Sequence, residues 1–193
     1  MRKYDAVFFD LDGTLSESGE GILWCVRRTI EDLKIVVPEN FRLESFIGPP
    51  LADSFYRLGL DDEKVKFGVK TYKSYYDTKG KYMNKAYDGI KELLERLREK
   101  GYKLGVATSK YELFARQIID NIGLLQYFDF VSGATANAER QKKIDVLNYG
   151  IKNLGATPEN SALIGDTKFD AEGARLCGCG FVGVLYGYGT RKE

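Results

Sequence analysis

Two pairs of aspartates have a spacing that suits a shared oxygen-ligand site. Asp10 and Asp12 end the apolar run of VFFDLDGTL, and Asp166 and Asp170 lie in IGDTKFD, where a later apolar run ends. Residues two apart on a strand project to the same side, so the first two carboxylates can share one site. Carboxylates that close usually hold a cation between them, or one of them is protonated. Because the chain has no histidine, four such acids favour Mg²⁺, which prefers oxygen ligands and accepts phosphate oxygens as further ligands.

A phosphate ligand would also need a hydroxyl group and a cation to hold its nonbridging oxygens. Thr108 and Ser109 end the apolar run YKLGVATS, and Lys142 and Lys143 open a helical pattern further along the chain. Each of these residues could instead have a structural role that involves no ligand. Threonine and serine often cap helices, as Asp170 also could, and a lysine at a helix start is usually solvated. Their placement at successive strand ends favours the phosphate site.

The absence of histidine also excludes several catalytic classes. A Ser-His-Asp triad, a Cys-His pair and an HExxH zinc site all need histidine. The spacing of the three cysteines, Cys25, Cys177 and Cys179, matches no zinc or thioredoxin pattern, which indicates a reducing compartment. The N-terminal segment lacks the features of a signal peptide or a membrane span, so we expect a cytoplasmic protein.

The balance of charges narrows the choice of partner. Lysine and arginine number 29 and aspartate and glutamate 28, which gives a formal net charge of +1. No excess of one sign indicates a nucleic acid or an anionic membrane, so we expect neither as a partner and expect a small molecule instead. The sequence carries no indication of the oligomeric state.

The elements that must position these residues alternate along the chain. The opening run and those at residues 102–109, 128–134, 161–166 and 181–187 predict buried strands, and helical patterns begin near residues 89, 113, 143 and 169. Strands alternating with helices predict the α/β class, with a doubly wound parallel sheet covered on both faces. Such sheets bind ligands at the carboxyl ends of their strands, where the acids and hydroxyls stand.

The stretch from residue 16 to residue 80 interrupts this alternation and contains no convincing strand. Two helical patterns each place apolar residues on one face. The first face consists of Ile22, Val26, Ile30 and Leu33, and the second of Val65, Val69, Tyr72 and Tyr76. We therefore predict an α-helical cap subdomain over residues 16–80, inserted into an α/β catalytic core of residues 1–15 and 81–193.

Four segments, DLDGTL, ATSK, KKIDV and IGDTKFD, resemble in this order the four motifs of the haloacid dehalogenase superfamily. The segments IGPPLADSF and GVLYGYG and the length of the insertion are similar to the phosphoglycolate phosphatase group, whose cap is small and α-helical. The resemblance covers essentially the whole chain. It implies a Rossmann-like core and an Mg²⁺-dependent phosphatase that hydrolyses small phosphate monoesters.

The resemblance also implies roles for the acids. Asp10 would be the nucleophile that forms an aspartyl-phosphate, and Asp12 the acid that protonates the leaving alcohol and then the base that activates water. Magnesium would be held by Asp10, the backbone carbonyl of Asp12 and Asp166, with Asp170 as an indirect or water-mediated ligand. The pair Thr167-Lys168 departs from the residues often found in the fourth motif.

Three further residues are implied to hold the phosphoryl group. Thr108 and the backbone near Ser109 would bind its oxygens, and Lys143 would stabilise the charge that it shares with the nucleophile. Lys143 is preferred to Lys142 because its spacing to Asp145 better resembles that of relatives, and Lys142 stays an alternative.

Other functions and several substrates stay open at this point. A sugar-phosphate mutase of the same superfamily would keep the paired aspartates, and a receiver-type phosphoaspartate module uses similar groups but needs no helical insertion. Candidate substrates are phosphoglycolate, nucleoside monophosphates, sugar phosphates and phosphotyrosine.

Overall fold

The computed structural model describes residues 3–137 and 139–192. In chain order, the elements of these ranges are β1 Ala6–Phe9, β2 Ser16–Glu17, α1 Gly19–Asp32, α2 Leu51–Arg57, α3 Asp62–Thr78, β3 Lys85–Ala86, α4 Ile90–Glu99, β4 Lys103–Tyr111, α5 Glu112–Asn121, β5 Phe130–Ala134, α6 Lys143–Asn153, β6 Ser161–Gly165, α7 Lys168–Cys177 and β7 Gly180–Gly183. Among these helices, none combines the length and the hydropathy that crossing a membrane requires.

The main sheet has the order β5-β4-β1-β6-β7, and its neighbouring strands are parallel. The central strand β1 is buried on both faces because its side chains alternate between two apolar clusters. Phe8 packs in the cluster that contains Leu147 of α6, and Phe9 packs in the cluster that contains Ile118 of α5. Helices therefore cover both faces, which confirms the predicted doubly wound α/β fold.

The strand order reverses between β1 and β6, because the chain passes from β1 to β4 on one side and from β6 to β7 on the other. A crevice opens at the carboxyl ends of two such strands. The register pairs Phe9 with Ile164, and the amide of Asp10 donates to the Ile164 carbonyl at 2.9 Å. The sheet therefore brings Asp10, after β1, close to Asp166, after β6.

Helices α1, α2 and α3 form the helical insertion, the name used below for residues 16–86. Val26 of α1 and Val65 and Tyr72 of α3 are buried together, as the helical patterns predict. At its base β2 pairs antiparallel with β3, and Ser16 faces Ala86. The expectation of no strand in residues 16–80 is thus wrong at Ser16–Glu17, because a two-residue strand is too short to show alternation in sequence.

The last strand also differs from its prediction. A buried strand was expected over residues 181–187, whereas β7 ends at Gly183 and the chain continues as a loop. Phe181 and Val182 are 39% and 51% exposed. The difference arises because β7 is an edge strand with β6 as its neighbour, so its apolar side chains are only partly covered. Residues 184–190 are called the C-terminal loop below.

Candidate active site

Three aspartates form a buried acidic cluster in the described part of the chain. Asp10, Asp166 and Asp170 each offer a carboxylate oxygen, and these oxygens lie within 4.8 Å of one another. The three residues are 5%, 7% and 0% exposed. Burial, together with the charges of Asp170 and Asp166, raises the pKa of Asp10 to about 8, although Lys143 acts in the opposite direction. The cluster therefore favours a positive charge among its carboxylates.

Lys143 supplies one positive charge from the first turn of α6. Its Nζ lies 2.6 Å from Asp10 Oδ1 and 2.8 Å from Asp170 Oδ1, and it donates to the Ala107 carbonyl at 3.0 Å. Burial alone would lower the pKa of Lys143, but the two carboxylates outweigh burial and raise it. Lys142 is exposed, and its backbone amide donates to Asp145 to cap α6. Of the two adjacent lysines, only Lys143 reaches the acidic cluster.

Asp170 has one carboxylate oxygen in hydrogen bonds and the other in an ion pair. Oδ2 accepts hydrogen bonds from the amide and the hydroxyl of Thr167 at 3.0 and 2.8 Å, which caps α7, and Oδ1 faces Lys143. Asp170 therefore caps α7, the alternative that the sequence suggested, and also belongs to the acidic cluster. A Cβ at Gly165 would overlap the Asp170 carboxylate, so this glycine lets α7 approach the end of β6.

Asp166 is held by two segments that are distant in sequence. Its Oδ2 accepts from the backbone amide of Tyr188 at 2.6 Å, and its Oδ1 accepts from the hydroxyl of Thr14 at 3.3 Å. Burial raises the pKa of Asp166, and the hydrogen bond from Tyr188 opposes this effect. Gly13 has a φ of 86°, and a Cβ there would overlap the Asp166 carboxylate. The turn after Asp12 therefore needs glycine for both its conformation and its close approach.

Asp12 stands apart from the acidic cluster and pairs with Lys110. The two side chains are 12% and 10% exposed, and Lys110 Nζ lies 2.9 Å from Asp12 Oδ2. Lys110 also donates to the hydroxyl of Tyr76, on α3 of the helical insertion, at 2.9 Å. Although burial would lower the pKa of Lys110, the charge of Asp12 outweighs it and raises the pKa. Within residues 3–137 and 139–192, the buried Asp12 Oδ1 has no hydrogen-bond partner.

Lys110 is a residue of the site that the sequence patterns did not predict. The signal was present, because Lys110 is the last residue of ATSK, the segment quoted for Thr108 and Ser109. The lysine was missed because β4 continues to Tyr111, beyond the expected strand end at residue 109.

A cavity of about 190 Å³ connects the acids with the helical insertion. Asp10, Asp12, Thr108 and Ser109 line its inner end. Thr108 is 2% exposed, and its hydroxyl accepts from the backbone amide of Lys110 at 3.1 Å. The outer wall includes residues of the helical insertion and of β4 and α5, namely Phe46, Pro49, Leu51, Val69, Tyr72, Lys73, Tyr111 and Phe114. The structure thus brings the predicted hydroxyl residues to the same cavity as Asp10 and Asp12.

The acidic cluster fits a hard divalent cation. When ionised, the carboxylates of Asp10, Asp166 and Asp170 carry three negative charges, against one positive charge on Lys143. The remaining charge of about −2 matches a divalent ion, and carboxylate oxygens are the ligands that such ions prefer. Asp12 contributes no carboxylate oxygen to this cluster, because its side chain is turned to Lys110.

The chain matches known proteins along most of its length. The family model for haloacid dehalogenase-like hydrolases matches residues 7–184. The chain is 37% identical over 183 residues to "Tyrosine-protein kinase PtkA" of Mycobacterium tuberculosis, which covers 95% of this chain and 62% of that relative's length. It is 36% identical over 192 residues to a "5'-nucleotidase" of Pseudomonas aeruginosa, covering 99% of this chain and 87% of the relative.

The fold is also similar to solved structures. A predicted phosphatase from Clostridium acetobutylicum superposes with a TM-score of 0.93 at 37% sequence identity, over 100% of this chain and 89% of that one. The four motifs and the acidic cluster lie within the matched residues, as does the main sheet except for Ala6 at the start of β1. The chain therefore belongs to the haloacid dehalogenase-like hydrolase family.

Proposed function

We propose that the protein is an Mg²⁺-dependent phosphatase that hydrolyses small phosphate monoesters through an aspartyl-phosphate on Asp10. The observation that carries this proposal is the position of Asp10. Its carboxylate is buried beside Asp166 and Asp170, is bonded to Lys143 at 2.6 Å, and faces the cavity lined by Thr108 and Ser109. The names of the Pseudomonas and Clostridium relatives support phosphate ester hydrolysis.

Asp10 would attack phosphorus in line with the leaving oxygen. Lys143, 2.6 Å from Asp10 Oδ1, favours the ionised form of this carboxylate and can stabilise charge that moves onto the phosphoryl oxygens. Thr108 and the backbone at Ser109 would hold those oxygens at the inner end of the cavity. Magnesium, when held by Asp10, the carbonyl of Asp12 and Asp166, would neutralise the acids and polarise the phosphoryl group.

Asp12 would handle the proton in both half-reactions. Protonated Asp12 gives its proton to the leaving oxygen as the phosphorus–oxygen bond breaks, and the resulting carboxylate then takes a proton from the water that attacks the aspartyl-phosphate. Lys110 holds Asp12 Oδ2, and Oδ1, which is buried and has no hydrogen-bond partner among residues 3–137 and 139–192, is the oxygen that would carry this proton. Lys110 would therefore orient Asp12.

The helical insertion would act as a cap that contacts the leaving group and excludes water. The walls that it offers to the cavity combine aromatic and aliphatic side chains with Lys73. This lining favours a leaving group with an apolar body, and Lys73 can pair with an anionic substituent. Nucleoside monophosphates, aryl phosphates such as phosphotyrosine and phosphoglycolate are the esters to compare.

The test is phosphate release from a panel of these esters, measured with Mg²⁺ and with excess chelator. We expect release that depends on Mg²⁺, and a loss of on the order of 10³-fold or more in kcat for Asp10→Asn. Asp120→Asn, which changes an exposed aspartate of α5, is the matched control and should retain activity. A folded protein that releases phosphate from no ester, or an active Asp10→Asn variant, would refute the proposal.

A further inference from the structure

The C-terminal loop begins beside the acidic cluster. Its first residue, Val184, donates its backbone amide to the Gly165 carbonyl at 2.9 Å, next to Asp166. The loop has the sequence VLYGYGT, in which tyrosines and glycines alternate. The proposed chemistry gives this segment no role, although it was one of the features that resembled a particular group of relatives.

The glycines of the loop lie against Asp166. A Cβ at Gly187 would overlap both Asp166 Oδ2 and the Gly13 carbonyl oxygen, and a Cβ at Gly189 would overlap the Asp166 carbonyl oxygen. The backbone amide of Tyr188, between these glycines, donates to Asp166 Oδ2 at 2.6 Å. The loop backbone is therefore packed tightly against this carboxylate.

The tyrosines of the loop contact the segments that join the core to the helical insertion. The Tyr188 hydroxyl accepts from the backbone amide of Gly19, the first residue of α1, at 2.6 Å. The Tyr186 hydroxyl donates to the Thr14 carbonyl at 2.9 Å, and its ring lies 4.8 Å from that of Tyr87, centroid to centroid, beyond β3. Both connections between core and insertion are therefore in contact with this loop.

Tyr188 contacts both the acidic cluster and the start of the helical insertion. Its amide holds the carboxylate of Asp166, and its hydroxyl holds the start of α1. Because the loop backbone at Gly187 and Gly189 packs directly against Asp166, we expect a shift of the Asp166 carboxylate to move the loop and, through the Tyr188 hydroxyl, to move Gly19. We infer that Tyr188 is a positioning residue that links metal binding at Asp166 to the position of α1 in the helical insertion.

This inference rests on the proposed function only in assuming that Mg²⁺ binds at the acidic cluster. It can be tested without turnover, because the chain has one tryptophan, Trp24, and this residue lies in α1. The Trp24 ring lies 5.7 Å from the Tyr75 ring and 4.6 Å from Lys79 Nζ, at the end of α3. Its fluorescence should therefore report movement of α1 relative to the end of α3.

The experiment measures Trp24 emission of the metal-free protein during titration with Mg²⁺, while calorimetry measures binding. Tyr188→Phe removes the hydroxyl that accepts from Gly19 and keeps the backbone amide on Asp166. Tyr127→Phe is the matched control, because it removes a tyrosine hydroxyl that bonds Glu95 at 2.7 Å, away from the loop. We expect Mg²⁺ to change the emission of the wild type and of Tyr127→Phe equally. For Tyr188→Phe we expect the change at saturation to be about threefold smaller, with an affinity weakened by about fivefold or less.

Two results would overturn the inference: a Tyr188→Phe variant with the full change in emission, or a wild type that binds Mg²⁺ without any change. An equal loss in Tyr127→Phe would also overturn it, since the effect would then belong to any lost hydroxyl. If calorimetry detects no Mg²⁺ binding to the wild type, the proposed metal site fails together with this inference. Binding without dependence on Tyr188 defeats the inference alone.

Discussion

Replacing Asp10 by asparagine should stabilise the metal-free protein even though it should abolish catalysis. Burial and the nearby acids raise the pKa of Asp10 to about 8, from an ordinary value of 3.8. The folded protein therefore binds this proton more tightly than the unfolded chain does. The stabilising effect of the protonated group is complete below the unfolded pKa and is lost as the pH rises towards the folded pKa. Asparagine has a similar size and cannot ionise, so the stability of the variant should not decrease with pH in this way.

The size of the effect follows from the two pKa values. One pKa unit corresponds to about 1.4 kcal/mol, so the interval from 3.8 to about 8 sets an upper limit of about 6 kcal/mol. The advantage of Asp10→Asn should be at most about 2 kcal/mol at pH 5 and should grow until about pH 8, where it levels off. For a chain of this size, each kcal/mol corresponds to a shift of about 2–4 °C in Tm.

The assay is urea denaturation of the wild type, Asp10→Asn and the control Asp120→Asn, between pH 5 and pH 9 with excess chelator. Addition of Mg²⁺ should stabilise the wild type at pH 8 and reduce or reverse the advantage of Asp10→Asn, because that variant lacks one carboxylate of the cluster. An Asp10→Asn variant less stable than the wild type at pH 8 without metal, or a difference in stability that does not depend on pH, would contradict this prediction.

Three further predictions concern neighbouring residues. Lys143→Met should lower kcat on the order of 10²–10³-fold, because Asp10 loses its cationic partner, whereas Lys142→Met should leave kcat unchanged; equal effects in phosphate release would contradict this assignment. Lys110→Met should lower kcat about 10- to 100-fold for alkyl esters and much less for p-nitrophenyl phosphate, whose leaving group needs no proton; a uniform loss would argue against orientation of the acid. Gly13→Ala should lower the free energy of unfolding, measured by urea denaturation, by about 2–3 kcal/mol more than Gly59→Ala does, since both glycines have positive φ but only Gly13 faces a carboxylate. Similar losses in the two variants would show that the contact with Asp166 is unimportant.

The sequence was sufficient to predict the parts of the site that follow from strand ends. Asp10 and Asp166 end apolar runs, and in a parallel sheet such ends meet at one edge, so their proximity was predictable before the structure. Lys143 was distinguishable from Lys142 only through the resemblance. The structure supplies the physical reason, since α6 turns the side chain of Lys143 towards Asp10 and leaves Lys142 in solvent.

The contacts that the sequence did not predict join segments with no periodic relation. Lys110 reaches Tyr76 of α3, and Tyr188 reaches both Asp166 and Gly19. Such pairings depend on how the insertion is oriented on the core, which hydrophobic periodicity does not specify. The exposure of β7 was missed for a similar reason, because an apolar run does not reveal whether a strand lies at the centre or the edge of a sheet.

The pairing of β2 with β3 has a consequence for how the protein can diversify. Ser16 and Ala86 are direct partners, so the chain leaves the core and returns to it at neighbouring points. The two ends of an insertion attached in this way need only lie as close together as two paired strands. Its length and its helices can therefore be exchanged for others while the parallel sheet and the acidic cluster keep their geometry. The ladder of two residue pairs is thus a point at which one insertion could replace another without a change in the sheet.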